Sequence, residues 1–484
     1  MTRTSVTAAL TSRVWQKLQG GLVPVANSQD IAGVRDWVDT ANSNIASYSY
    51  IPQTVFGYLG TEKKTGVTRF LPVISKEDLA IYYHLCGRVG SRVIIDRPNV
   101  FGGWRAIPNT LVRQMASPAS QGDATGDDDF GYGGYFSNTF SRAAWFQEYR
   151  SFNDFLREIV RSDNTSGSVV TTDIANFYDS IDIGQLCRRL RRAAPDIEES
   201  IDLLEIFLGF WNRRTTGYQQ SSKGIPQEMI SDGSRNLSHF YLQKFDDIFG
   251  NFCSRNSLTY VRWADDIAVF GPSHRSLERA IYEASRLLLL DGLNLNAAKT
   301  KIYSRKDYER YRGLRLLSDI ETRNIADFST SFRQAMSGMR RGEVKFDTLY
   351  RAAISFIYRH GKAGSTLARE RDFLLSYPRA KPGIIETLSS IQMLRLIEMS
   401  ANRRNAFDEL CRLGRRRDST AGPAAILMLI REKTRELNAL GISPSTCSTA
   451  INRISAEHAE SEIVQNFCIP AAKAALYGEA LGKV

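Results

Sequence analysis

Tyr260-Val-Arg-Trp-Ala-Asp265-Asp266-Ile-Ala-Val-Phe270 sets two adjacent carboxylates inside a run that otherwise reads as a buried β-hairpin. Charged side chains are almost never buried unless paired or bound to metal, and the flanking β-branched and aromatic residues predict burial here. A polar turn between two ordinary strands is the plain alternative, because Asp is a common turn residue. A second segment weighs against it. Ser168-Val-Val-Thr-Thr-Asp173-Ile-Ala-Asn-Phe-Tyr178-Asp179-Ser-Ile181 also delivers an Asp at the end of a β-branched run. Asp173, Asp265 and Asp266 become candidates for one site. Oxygen-only ligation with no nearby His or Cys suits Mg²⁺, with Mn²⁺ as a substitute, because such ions borrow remaining ligands from water and substrate phosphates. Two such ions clamp the attacking and leaving oxygens of an in-line phosphoryl displacement, so the pattern points to nucleotidyl transfer.

Further motifs follow in a fixed order: Gly224-Ile-Pro226-Gln227 with Ser231, Gly292-Leu-Asn-Leu-Asn-Ala-Ala-Lys299-Thr300-Lys301, and Tyr311-Arg-Gly313-Leu. Together with the two aspartate segments, they resemble the palm of a reverse transcriptase, whose motifs A to E occur in this order. Lys64-Thr-Gly66-Val-Thr-Arg69-Phe-Leu-Pro72 resembles the fingers of bacterial members. The likeness covers roughly residues 50 to 320.

The resemblance implies roles one residue at a time. Asp173 and Asp265 would bridge two Mg²⁺ ions, and Asp266 would complete the acidic cluster. Tyr178 matches the steric gate that excludes a ribose 2′-hydroxyl, the plain alternative being a core aromatic at a helix start. Gln227 matches the residue that packs on the incoming nucleotide, and Lys299 the lysine proposed to protonate departing pyrophosphate. Arg69, with Lys64 as a second candidate, would hold the triphosphate through charge-assisted hydrogen bonds. Two positions depart from the pattern. Glu228 replaces the glycine that normally follows Pro226-Gln227, and Trp263 replaces the tyrosine before the paired aspartates.

The 484-residue chain, 43% hydrophobic, is long enough for two or more domains. Its formal net charge of +11 favours a phosphate-rich partner, although a basic soluble protein carries the same signal. Cys86, Cys187, Cys253, Cys411, Cys447 and Cys468 lie far apart with no C-x-x-C pair, which argues against structural zinc and a disulfide framework. The N-terminal residues lack an apolar core of signal-peptide length, and no segment approaches a membrane span. The expectation is a soluble, cytoplasmic bacterial protein. Residues 116–137 read as a long acidic, Gly-rich loop whose Asp127-Asp-Asp129 run is solvated.

After about residue 320 the periodicity becomes helical, as in 349–358, 384–397 and 424–430, with breaks at Tyr377-Pro378, Lys381-Pro382-Gly383, Gly422-Pro423 and Ser443-Pro444. The expected fold class is α+β. Fingers and palm with an antiparallel palm sheet occupy 1–320, and an all-α, helical-repeat-like domain replaces a thumb over 321–484. Arg403, Arg404, Arg415, Arg416 and Arg417 either track a nucleic-acid strand or solvate helix ends.

Maturase, endonuclease and RNase H signatures are not found, nor are the Val-Thr-Gly and Asn-Ala-x-x-His elements associated with retron enzymes. What remains resembles the bacterial defence-associated reverse transcriptases of the abortive-infection type. That resemblance implies antiphage defence, DNA synthesis from deoxynucleotides, a single-stranded DNA product that can stay attached to protein, and a homo-oligomer. In the abortive-infection branch synthesis is template-independent and primed by a tyrosine hydroxyl. Tyr377 and Tyr477 are candidates, but packing is much the stronger reading of each and the priming residue stays open. Sister branches copy an associated noncoding RNA. A non-catalytic nucleic-acid-binding scaffold is the reading from another class, motivated by Glu228 and Trp263.

Overall fold

The computed structural model describes residues 31–64, 67–102, 142–162, 167–211, 223–227, 232–361 and 366–480. The acidic loop, Glu228 and Ser231 lie outside these residues, as does the side chain of Lys64.

Strands β1 (Gly57–Lys64) and β2 (Val67–Val73) form an antiparallel hairpin in which Thr61 sits opposite Arg69. A second sheet contains β3 (Val100–Phe101), β4 (Ser168–Asp173), β5 (Thr259–Trp263), β6 (Asp266–Gly271) and β7 (Lys301–Ser304), ordered β3-β5-β6-β4-β7. Its four longer strands pair antiparallel as expected, but β3 runs parallel to β5, so the sheet is mixed. The edge strand closes this way because Gly102, at φ +80°, turns the chain directly against the backbone of Ala264. Any Cβ there would meet the Ala264 nitrogen at 2.7 Å.

The central strands hold because β-branched and aromatic side chains bury on both faces. Val170, Ile267 and Val269 pack with helices Lys76–Val93, Ile183–Ala193, Glu198–Trp211 and Asp232–Arg255 in one apolar cluster. Val169, Val261, Ala268 and Phe270 belong to another. Each fully buried Val or Phe contributes on the order of 1.5–3 kcal/mol, so this sandwich makes the strand register hard to shift.

The second cluster does not stop at the expected boundary near residue 320. It continues through Phe328, Phe332, Leu349, Ile354 and Leu394 to Ile426, Ile451 and Leu476. Among the described residues beyond 320 the regular structure is helical, as expected, with corrections at two breaks. Helix Ala368–Ala380 runs through Pro378, and Gly422-Pro423 lies just inside helix Ala421–Ala439. The 384–397 pattern is likewise not one helix. A 3₁₀ turn over Pro382–Thr387 gives way to helix Ser390–Met399, started by the Ser389 cap. No helix among the described residues is long and apolar enough to cross a membrane.

The β1–β2 hairpin closes onto these helices. Gly60 donates its N–H to Thr420 Oγ1 at 2.7 Å and accepts from Thr420 N at 3.2 Å. Beside it, Glu62 N donates to Glu386 Oε2 at 2.8 Å, and Arg416 pairs with Glu62 at 3.0 Å.

Candidate active site

Three strand ends and one loop meet at the acidic cluster. The β4–β6 register places Asp173 opposite Asp266, and Asp265 occupies the turn between β5 and β6. Ile174 N donates to Asp265 O at 3.2 Å, tying the end of β4 to that turn. Ala264 sits at φ 51°, a left-handed conformation that costs a non-glycine residue about 1–2 kcal/mol. Its N–H donates to Phe101 O at 2.9 Å and its carbonyl accepts from Arg262 at 2.6 Å.

The Lys299 loop is fastened to the same point. Asn296 N donates to Asp173 O at 2.8 Å, Ala175 N to Asn294 O at 2.8 Å, and the Thr172 and Thr300 hydroxyls bond at 2.8 Å. These bonds bring the Lys299 ammonium onto Asp173 Oδ2. Partial burial works against the charged amine, but the hydrogen bond and charge of Asp173, with Asp266 and Asp265 behind, raise its pKa overall. Burial and then the neighbouring Asp266 and Asp173 push the Asp265 carboxyl up to about 6, while Lys299 pulls it back.

Asp173 is 4% exposed, and its Oδ1 is buried with no hydrogen-bond partner. An orphaned carboxylate oxygen beside two more carboxylates, with an ammonium already on the opposite oxygen, fits a hard divalent cation. Among the described residues no group of three His, Cys, Asp or Glu closes a metal cage by itself.

Tyr178 and Gln227 are joined through the backbone. Ile225 N donates to Tyr178 O at 2.9 Å and Gly224 N to Ile181 O at 2.7 Å, so the Gly224–Gln227 segment runs alongside the turn carrying Tyr178. The Tyr178 ring is half-buried against Phe177. Arg69 stays on the β1–β2 hairpin and makes no ion pair with the acidic cluster among the described residues.

The arginine cluster reads differently in space. Arg415 pairs with Glu457, and Arg416 with Asp418 and Glu62, so both are committed to intramolecular ion pairs. Arg403, Arg404 and Arg417 are exposed. Of the two tyrosines, Tyr377 is buried with its hydroxyl donating to Asp347 at 3.1 Å, whereas Tyr477 is 68% exposed.

Sequence reading missed two groups. One is a cavity of about 170 Å³ lined by Tyr149, Trp263, Asp266, Arg312, Lys345 and Arg351, where three cations face one carboxylate. Trp263 fills its wall edge-on to Tyr149 at 5.1 Å and tilted against Phe152 at 5.1 Å, which gives the larger ring its place. The other is a buried pair, Arg262 and Asp246, with Arg262 Nε on Asp246 Oδ1 at 2.8 Å and the Tyr260 hydroxyl on the same oxygen at 2.6 Å. Breaking such a pair costs about 3–5 kcal/mol because it strands a charge. Its one signal in the sequence is an arginine inside an apolar strand.

Residues 127–328 match the family model described as reverse transcriptase (RNA-dependent DNA polymerase). This segment is a reverse-transcriptase domain. It is therefore a domain of nucleotidyltransferases, and the acidic cluster lies within it. A retron Ec83 reverse transcriptase from Escherichia coli is 30% identical over 145 residues, which is 29% of this chain and 44% of that protein. The chain thus matches less than half the length of this curated relative. The two missing elements argued against retron enzymes, yet this chain is similar to one retron enzyme over part of its length. Among solved structures, apo telomerase from Candida tropicalis, truncated from its C-terminal domain, is similar at a TM-score of 0.30 and 12% identity over 61% of each chain. A likeness so slight carries no argument.

Proposed function

We propose that the chain is a DNA polymerase of the reverse-transcriptase type, acting in bacterial antiphage defence. The observation that carries the reading is the rung Asp173–Asp266 with Asp265 in the adjoining turn and Lys299 on Asp173. Asp173, Asp265 and Asp266 would hold Mg²⁺, or Mn²⁺ in its place. When bound, the ions supply charge neutralisation at the attacking and leaving oxygens. The chain's own residues do the rest. Lys299, an ammonium at the edge of the cluster, would give a proton to the departing pyrophosphate. The Tyr178 ring would exclude the 2′-hydroxyl, Gln227 would pack on the nucleotide, and Arg69 and Lys64 would steady its phosphates. Arg312, Lys345 and Arg351 would draw the anionic end of the growing strand toward Asp266.

The finer reading is template-independent synthesis primed from a tyrosine, in an oligomer of the abortive-infection type. It treats 1–320 as fingers and palm and 321–484 as a repeat-like domain in place of a thumb. The exposed ring of Tyr477 makes it the stronger of the two named priming candidates. RNA-templated synthesis is the second reading, favoured by the similarity to the retron enzyme.

Purified protein with Mg²⁺ and labelled deoxynucleotides, with and without an RNA template, tests these readings on gels run before and after protease. Label that stays with protein until proteolysis supports tyrosine priming, and strict dependence on RNA supports the second reading. Absence of incorporation in every condition, matched by Asp265→Ala, would leave only a nucleic-acid-binding scaffold.

A further inference from the structure

We infer that Arg262 and Asp246 form a positioning device that holds the aspartate turn in its metal-binding shape. The inference rests on the polymerase reading above and adds residues that the motif pattern does not include.

Arg262 is 1% exposed, and two arms of its guanidinium fork onto Asp246, Nε at 2.8 Å and Nη2 at 2.5 Å. Asp246 belongs to helix Asp232–Arg255, so the fork fixes strand β5 to that helix. The third arm leaves the pair. Nη1 donates at 2.6 Å to the carbonyl of Ala264, the residue immediately before Asp265.

That carbonyl belongs to the left-handed residue that opens the turn. A non-glycine residue relaxes out of this conformation unless its surroundings hold it. Here the holding comes from both sides, by Arg262 on the carbonyl and by Phe101 O on the N–H. Removing the arm leaves the Ala264–Asp265 peptide held only by Phe101 O on Ala264 N and by Ile174 N on Asp265 O, so it can tilt and shift the Asp265 carboxylate relative to Asp266, which stays in the ladder. Lysine keeps the charge toward Asp246 but has no planar fork to serve both partners. Groups that orient metal ligands in this indirect way typically change metal affinity by about 10–100-fold when removed.

A merely structural pair makes a different prediction. Replacing both partners by apolar residues of similar size leaves no stranded charge and is tolerated by many folds. The test compares wild type, Arg262→Lys and the double variant Asp246→Leu/Arg262→Met, with Asp265→Asn as the control for site binding. Mn²⁺ binding is followed by the electron paramagnetic resonance of the free ion, alongside thermal unfolding and the deoxynucleotide KM at saturating metal. The expected result is folded variants whose Asp265-dependent Mn²⁺ affinity falls about tenfold or more, with KM changed by less than about twofold. Wild-type affinity in folded variants overturns the positioning role and leaves the polymerase reading intact. Wild type that binds no Mn²⁺ in an Asp265-dependent way overturns both.

Discussion

Asp173 and Asp266 occupy one rung of the antiparallel β4–β6 ladder, so two carboxylates face each other across adjacent strands. Like charges directly opposite destabilise a strand pair by up to about 1 kcal/mol. Asp266→Asn is therefore expected to unfold at an equal or higher temperature than wild type in chelator. Nucleotide incorporation should fall at least about a hundredfold, and thermal melts paired with incorporation assays check both sides.

Tyr178 should set sugar choice. Its backbone is anchored by Ile225 N, so Tyr178→Ala removes the ring without freeing the segment. Ribonucleotide use relative to deoxynucleotide use is expected to rise about tenfold or more, read from competition for incorporation. An unchanged ratio would return Tyr178 to a packing role.

Asp78 should make stability depend on pH. Burial raises its pKa from 3.8 to about 6, despite hydrogen bonds from the Tyr50 hydroxyl at 2.5 Å and Gln53 N at 2.7 Å. The folded state then holds a proton that the unfolded chain has released. The resulting stability is fully present below about pH 4 and is lost as pH rises through about 6, by at most on the order of 3 kcal/mol. Urea unfolding between those limits should show a smaller decline for Asp78→Asn than for wild type.

Thr420 should fasten the hairpin. In Thr420→Val the Gly60 N–H loses its acceptor, which is expected to cost about 1–2 kcal/mol in urea unfolding. Amide exchange at Gly60 should quicken more than exchange at Val169, which lies in the central sheet.

The cysteines should be inert in the native protein. All six are buried, and burial holds Cys187, Cys253 and Cys468 up at about 12. A thiol-labelling reagent at pH 8 is expected to modify them only after denaturant is added.

The acidic cluster was legible because Asp173 and Asp265-Asp266 each interrupt apolar, β-branched runs, and charges in such runs need a reason. Lys299 was legible through its place in an ordered set of motifs. Arg262 was not, since a lone arginine in a strand does not announce Asp246, sixteen positions earlier on a helix. The parallel pairing of β3 escaped because two residues are too short a strand to leave a pattern. Arg415 and Arg416 looked like a strand-binding run for the opposite reason. Their partners Glu457 and Glu62 are far away in sequence, and although Asp418 is near, nothing in the run shows that Arg416 turns onto it.

The apolar cluster that runs from Val169 and Phe270 into Phe332, Ile354 and Ile426 has a consequence for anyone dividing this chain. A fragment ending near Glu321 would carry the whole acidic cluster yet turn the apolar side of helix Leu314–Glu321 to water, and it should clump rather than work. The part that carries the acidic cluster and the helices beyond it are for this reason expected to fold together and not apart.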